Sequence, residues 1–324
     1  MKQPFIRASN LLVSGFSYLR STVSGNPSVA GMPVAISAEL TNHCNLKCPE
    51  CASGSGLMKR ERGFMNISLF EKVIDELEPY LLNINLYFQG EPMLHPRFYS
   101  FIEGNRGIHT EVSTNGHFLT PENSEKLVES GLSKLIISLD GADQETYSAY
   151  RRNGNFETVI SGIKAVIEAK KKRPNSSLST EIQLLVNRQN EKQIGAMRKL
   201  AANMNIPLRL KSMQILGKDS IDWWSPSQKN FSRYHLKSGK FVLKNSLPNR
   251  CSRAWLNPAI TWDGKVVPCC FDKDAEYIMG DLNNDSFRDI WNGTKYRLFR
   301  KSILTGRHMI EMCRNCTSGL NLKY

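Results

Sequence analysis

The chain has 324 residues, 40% hydrophobic and 23% charged, and 43 Lys and Arg against 30 Asp and Glu leave it at +13. That length has room for one large domain and a smaller one. No apolar run is long enough to span a bilayer, and Leu11-Leu12-Val13 is too short for the core of an export signal, so the eight cysteines read as metal ligands in a reducing cytoplasm rather than as disulfides. The basic excess reads first as a solvated surface; it would also suit an acidic electron donor or an anionic substrate. Lys170, Lys171, Lys172 and Arg173 end a predicted helix before Pro174. Cations there complement the helix dipole, so the run does not point to specific nucleic-acid binding.

Residues 1–33 read as an N-terminal extension. Phe5, Ile6, Leu12, Phe16 and Leu19 could line one face of a short helix. That face is expected to pack on the body, with a membrane surface as the alternative. From residue 34 strands and helices alternate. A strand at 34–40 runs into a loop with the spacing Cys44-x3-Cys48-x2-Cys51. Ser68 and Glu71 have capping-box spacing ahead of Leu69, Phe70, Val73, Ile74 and Leu77. A strand at 83–88 ends in Gln89-Gly90-Glu91-Pro92, and one at 109–113 ends in Thr114-Asn115-Gly116. Thr120-Pro121 opens a helix that Gly131 closes. A strand at 134–139 ends in Asp140-Gly141. There follow a helix at 156–172, a strand at 180–186, a helix at 190–203 and a strand at 207–211.

Six strand–helix repeats predict a parallel sheet with right-handed crossovers. A closed eightfold barrel takes about 250 residues, more than residues 34–215 supply. The expected fold class is therefore α/β, a partial (β/α)6 TIM-like barrel over 34–215. Residues 216–250, with Trp223-Trp224-Ser225-Pro226, read as an irregular linker. Residues 251–324 read as a small C-terminal cysteine-rich module, with a hairpin at 260–267 turning on Asp263-Gly264 and a helix at 289–301.

The chemistry lies in the cysteines. Three thiolates on so short a loop suit three corners of a cubane [4Fe–4S] cluster and leave one iron without a protein ligand. Zinc would need a fourth ligand, such as His43. In parallel sheets functional residues gather at the carboxyl ends of strands. The cysteine loop, Gly90-Glu91-Pro92, Asn115, Ser138 and Asp140 all fall there. The second group, Cys251, Cys269, Cys270, Cys313 and Cys316, reads as a closed four-thiolate site with one cysteine to spare, holding iron–sulfur or structural zinc.

Taken in this order, the cysteine triplet after a first strand and Gly90-Glu91-Pro92 after a second resemble the radical S-adenosylmethionine (SAM) superfamily. Cys251, Gly264-x4-Cys269 and Cys313-x2-Cys316 are similar to a reduced SPASM-type auxiliary-cluster domain. The resemblance implies that Cys44, Cys48 and Cys51 ligate a catalytic [4Fe–4S] cluster. It implies that Gln89, Gly90, Glu91 and Pro92 bind the amino group of SAM, through backbone carbonyls where the side chain of Glu91 is not needed. Ser138 would contact the ribose or carboxylate, and Arg151 the methionine carboxylate, with Arg152 as the other register. Asn115 lies on the same strand-end face. Cys251, Cys269, Cys313 and Cys316 would hold one auxiliary [4Fe–4S] cluster, with Cys270 able to replace Cys269.

The implied activity is reductive cleavage of SAM to a 5′-deoxyadenosyl radical, which abstracts hydrogen from a peptide or protein side chain. The implied electron donor is a flavodoxin or ferredoxin. A small-molecule dehydrogenase of the sugar or aminocyclitol type and an activase of a partner enzyme use the same chemistry. A non-catalytic zinc or cysteine scaffold is the reading from another class.

Overall fold

The computed structural model describes residues 2–217, 219–238, 240–244 and 247–316. Residues 317–324 of the expected C-terminal module and positions 218, 239, 245 and 246 of the expected linker lie outside the described residues.

The first element, α1, spans Lys2–Ser24 and is much longer than the short helix expected. Its buried face is the reverse of the expected one. Asn10, Ser14, Ser17 and Ser21 are buried, while Phe5, Ile6, Leu12, Phe16 and Leu19 are exposed. The cause is the returning segment at 28–32, whose backbone needs partners. Asn10 donates to the Met32 carbonyl (3.0 Å) and accepts the Met32 N–H (2.9 Å). Ser14 donates to the same carbonyl, and Ser17 and Ser21 accept the N–H groups of Ala30 and Ser28. The indole N–H groups of Trp255 and Trp291 donate to the Ser28 and Gly31 carbonyls. A Cβ on Gly31 would lie 2.1 Å from Ser14 Oγ, so the approach requires glycine.

After α1 come β1 (Ala35–Ala38), α2 (Ala52–Ser55), α3 (Ile67–Leu77), β2 (Asn83–Asn85), α4 (Phe98–Glu103), β3 (His109–Thr114) and α5 (Pro121–Glu129). Then follow β4 (Lys134–Ser138), α6 (Gln144–Tyr150), α7 (Phe156–Lys172), β5 (Ser179–Val186), α8 (Ile194–Asn203) and β6 (Leu208–Ser212). The remaining elements are α9 (Ile221–Trp224), β7 (Tyr234–Lys237), β8 (Lys240–Leu243), α10 (Arg253–Leu256), β9 (Ala259–Ile260), β10 (Lys265–Val267), β11 (Gly280–Asp281), α11 (Phe287–Asn292) and α12 (Thr294–Gly306).

Local signals place most of these elements. Thr120 caps α5 by accepting the Asn123 N–H, and Gly131 follows it at φ +80°. Three expectations need correction. Asn66 caps α3, accepting the Ser68 N–H; it stands just before the helix, whereas Ser68 already lies in its first turn. The helix expected at 289–301 is two helices, broken where Gly293 takes an extended conformation. The 216–250 stretch contains α9 and an antiparallel pair, β7–β8. Four-residue strands show too little alternation to stand out in sequence.

The chain divides into two compact units. The first gathers 2–43, 58–110 and 247–316. In it β1 pairs in parallel with both β2 and β9, and β9, β10 and β11 form an antiparallel meander. A strand from the cysteine-rich segment thus lies directly beside the first strand of the repeat series. Beyond β1, Glu39 is fully buried and takes Arg60 in a two-pronged ion pair (2.7 and 2.8 Å) while accepting the Trp262 N–H. Such a carboxylate is tolerable only with its partners in place.

The second unit gathers 44–57 and 111–244. Here β3, β4, β5 and β6 run parallel in that order. Leu135, Ile136 and Ile137 of β4 are all buried, as a strand covered on both faces requires. Leu127 of α5 and Val159, Ile163 and Val166 of α7 are buried as well. Each such side chain contributes about 1.5–3 kcal/mol on leaving water.

Candidate functional site

The second unit holds the first cysteine group. Cys48 is buried with Leu46 against Tyr150, Met213, Ile215, Trp224 and Tyr234, and Cys44 and Cys51 border the same cluster. The loop is tied down at several points. The Cys51 N–H donates to the Cys48 carbonyl (3.3 Å), and Lys47 N–H to the Arg152 carbonyl (2.9 Å). A Cβ on Gly54 would come within 2.7 Å of the Cys48 nitrogen. Glu50 is buried; it accepts the N–H groups of Leu216 and Gly217 and the hydroxyl of Ser220, which fixes those three residues beside the loop. The Leu46 N–H points at Cys44 Sγ (3.4 Å).

Burial pushes the Cys48 thiol up to about 12, with Arg151 pulling the other way. A metal that takes this sulfur must displace its proton. Among the described residues no disulfide joins any of the eight cysteines. Among the described residues no three His, Cys, Asp or Glu side chains enclose a point where one metal ion would sit. A cubane differs in kind, since each thiolate meets its own iron. Three thiols on a pinned loop, one of them receiving a backbone N–H, form a donor set that suits such a cluster.

The strand ends of the same unit supply the polar groups. Asn115, just past β3, is buried; its Nδ2 donates to Asn45 (2.8 Å) and lies 4.0 Å from Cys44 Sγ. Its Oδ1 accepts the His117 N–H (3.1 Å). Ser138 is the buried last residue of β4. Two residues on, Asp140 is fully buried; it accepts Arg151 Nε (2.6 Å) and the Leu185 N–H (2.6 Å). Burial works against the Arg151 charge, but Asp140 and the Cys48 sulfur outweigh it and hold the guanidinium firmly protonated. Arg152 exposes its side chain, so of the two arginines it is Arg151 that turns inward.

Gln89, Gly90, Glu91 and Pro92 belong to the first unit. Gly90 has φ +75°, and a Cβ there would lie 2.4 Å from the Thr41 carbonyl and 2.7 Å from the His43 carbonyl. It presses on the three residues that lead into Cys44. The Glu91 N–H donates to the His43 carbonyl (2.8 Å), and its buried carboxylate accepts the Met93 N–H, capping a short 3₁₀ turn opened by Pro92. Gln89 Nε2 donates to the Phe88 carbonyl. Replacing Gly90 with alanine is expected to destabilise the fold by about 2–3 kcal/mol, through both positive φ and backbone overlap. A denaturant titration showing a loss below about 0.5 kcal/mol would contradict the required close approach.

The second cysteine group also lies in the first unit. Cys251, Cys269, Cys313 and Cys316 are buried and Cys270 is partly exposed. Two arginines that the sequence did not single out stand among them. Arg307, fully buried, donates Nη1 to the Arg250 carbonyl (2.8 Å) and Nη2 to Cys316 Sγ (3.5 Å). Arg253 Nη1 donates to Cys270 Sγ (3.4 Å), and that sulfur holds its guanidinium above the usual range. Burial pushes the Cys313 thiol up to about 11, with Arg307 opposing. Buried thiols with cationic donors beside them suit a thiolate-bound cluster. Arg253 lies two residues from Cys251 in sequence; Arg307 carries no such signal.

Comparison with known proteins agrees with this chemistry. Residues 38–201 match the family model of the radical SAM superfamily, and residues 251–317 match SPASM, an iron–sulfur cluster-binding domain. The chain is 26% identical over 311 residues to the tungsten-containing aldehyde ferredoxin oxidoreductase cofactor-modifying protein of Pyrococcus furiosus, covering 86% of each. It is 28% identical over 295 residues to the mycofactocin maturase MftC of Mycolicibacterium smegmatis, covering 83% of this chain and 72% of that one. Its fold matches the crystal structure of BtrN in complex with AdoMet and 2-DOIA, with TM-score 0.54 and 19% identity over 89% of this chain and 94% of that one. The parallel strands are therefore those of a partial TIM-type barrel, followed by a SPASM segment. The chain belongs to the radical SAM superfamily and is an iron–sulfur enzyme, its cofactors a [4Fe–4S] cluster with SAM and, in the SPASM segment, auxiliary iron–sulfur.

Proposed function

We propose that this enzyme modifies a peptide or protein side chain, with Cys44, Cys48 and Cys51 holding the catalytic cluster. The observation that carries the site assignment is the meeting, in one unit, of the buried Cys48 sulfur with the Asp140–Arg151 pair. When bound, the cluster supplies the electron that cleaves SAM into methionine and a 5′-deoxyadenosyl radical, which takes hydrogen from the substrate.

The chain's own residues position and shield. The backbone of 89–92, with Gly90 tight against 41–43, receives the methionine amino group. Arg151, kept charged by Asp140, attracts the methionine carboxylate. Ser138 faces the ribose or carboxylate end, and Asn115 steadies the loop at Cys44. Tyr150, Met213, Ile215, Trp224 and Tyr234 keep water from the wall behind Cys48.

Cys251, Cys269, Cys313 and Cys316 hold a single auxiliary [4Fe–4S] cluster. Their common burial, against the partial exposure of Cys270, supports Cys269 as the ligand. The electron donor is a flavodoxin or ferredoxin in the cytoplasm, and the +13 balance suits such an acidic partner. The name of one relative, a maturase, supports a peptide substrate, while the other is named for modifying a cofactor. A small-molecule substrate is the second reading, favoured by the BtrN complex with 2-DOIA.

The test is anaerobic. Reconstituted enzyme with dithionite and SAM should release 5′-deoxyadenosine, faster with a peptide encoded beside the gene than with an amino sugar or cyclitol. Stimulation by the small molecules alone would establish the second reading instead. Cys316→Ala should lose about half of the bound iron while still cleaving SAM without coupled product. Unchanged iron in that variant would sink the auxiliary-cluster assignment.

A further inference from the structure

The apolar face of α1 is held outward by the rest of the molecule. Phe5 (78% exposed), Leu12 (73%), Phe16 (68%), Leu19 (60%) and Val23 (89%) fall on one side of the helix. At helical rise they form a stripe about 27 Å long. Exposed apolar residues are ordinary when scattered, but a contiguous stripe of two phenylalanines, two leucines and a valine is not. Nor can the helix roll to hide it. The opposite face, through Asn10, Ser14, Ser17 and Ser21, is committed to the backbone of 28–32. Rolling would break those bonds and strand their partners.

Charge decides what can cover the stripe. Neither α1 nor α12 contains an acidic residue. Arg20 is exposed on α1. The first residues beyond α1 are bonded to α12, where Lys301 Nζ donates to the Gly25 carbonyl (2.8 Å) and to Asn26 (2.7 Å). On α12, Lys295 and Arg297 are exposed, together with Leu298. A second copy docking through this face would set cation against cation with no carboxylate on either helix to answer. Among the described residues no helix is long and apolar enough to cross a membrane. An apolar stripe on a helix that carries cations and no carboxylate, bonded at its end to a second helix of the same kind, matches an anionic lipid surface, where such helices lie in the interface.

We propose that α1 docks the enzyme on anionic membranes, sinking Phe5, Leu12, Phe16, Leu19 and Val23 into the acyl boundary while Arg20, Lys295 and Arg297 meet the headgroups. The test is flotation of the reconstituted full chain with vesicles of phosphatidylcholine, with and without about 30% phosphatidylglycerol. Wild type should float with the anionic vesicles and bind neutral ones at least about tenfold more weakly. Leu12→Ser/Phe16→Ser should lose binding at least about tenfold with SAM cleavage and circular dichroism unchanged, since both positions are exposed and outside the site. In Phe16→Trp, tryptophan emission should shift to the blue on adding anionic vesicles. Wild type that stays in solution with both vesicle types, or a double variant that floats like wild type, overturns the proposal. So does a concentration-dependent dimer that the double variant abolishes, which would assign the stripe to a second copy.

Discussion

Cys48→Ala is expected to abolish SAM cleavage, lowering 5′-deoxyadenosine formation at least about a thousandfold, to the level of enzyme-free controls. The reasoning runs from the donor set. Three thiolates leave one iron open for SAM; two leave the cluster without a stable seat. Cys48 is the buried member of the triplet and sits centrally against Tyr150, Met213 and Trp224. Its loss is therefore expected to remove one proposed cluster ligand without opening the fold. Trimming one sulfur from an apolar wall costs about 1–2 kcal/mol, so denaturant unfolding should show a folded protein. Iron at the second cysteine group should remain. Turnover retained in this variant would refute the catalytic role of the loop.

The largest stability effect is expected at Asp140. Its carboxylate is fully buried and satisfies both Arg151 Nε and the Leu185 N–H. In Asp140→Ala the Arg151 guanidinium stays inside with its counter-charge gone, and the Leu185 N–H loses its acceptor. Breaking a buried pair from one side costs about 3–5 kcal/mol, whereas replacing both partners by apolar groups of similar size is close to neutral. Asp140→Leu/Arg151→Met should therefore recover most of the denaturant midpoint lost in Asp140→Ala, yet remain defective in SAM cleavage. Recovery of activity along with stability would show that Arg151 serves packing alone. A loss below about 1 kcal/mol in the single variant would show that the pair is not sealed from water.

Much of this was legible locally. Thr120, Pro121 and Gly131 mark α5 because capping and positive φ are satisfied within one turn. Gly264 marks the β9–β10 turn for the same reason. In the N-terminal helix, periodicity finds an apolar face without saying which face turns inward. That choice went to Asn10, Ser14, Ser17 and Ser21, which answer backbone groups at 28–32 that no apolar side chain can satisfy. Asp140 stood out at a strand end, but its partner is eleven residues away across α6, in a pair of arginines of which only the fold turns one inward.

By itself, the sequence determined the alternation of strands and helices, the cysteine spacings and the family they belong to, because each rests on contacts within a few residues or on ligand chemistry written into residue type. Tertiary structure alone decided that β9 pairs with β1, that Arg253 and Arg307 stand at the second cysteine group, that Glu50 holds Leu216, Gly217 and Ser220 at the first, and that an apolar stripe faces outward. Those outcomes depend on which distant groups can satisfy one another once buried, and buried charges and backbone groups permit few arrangements.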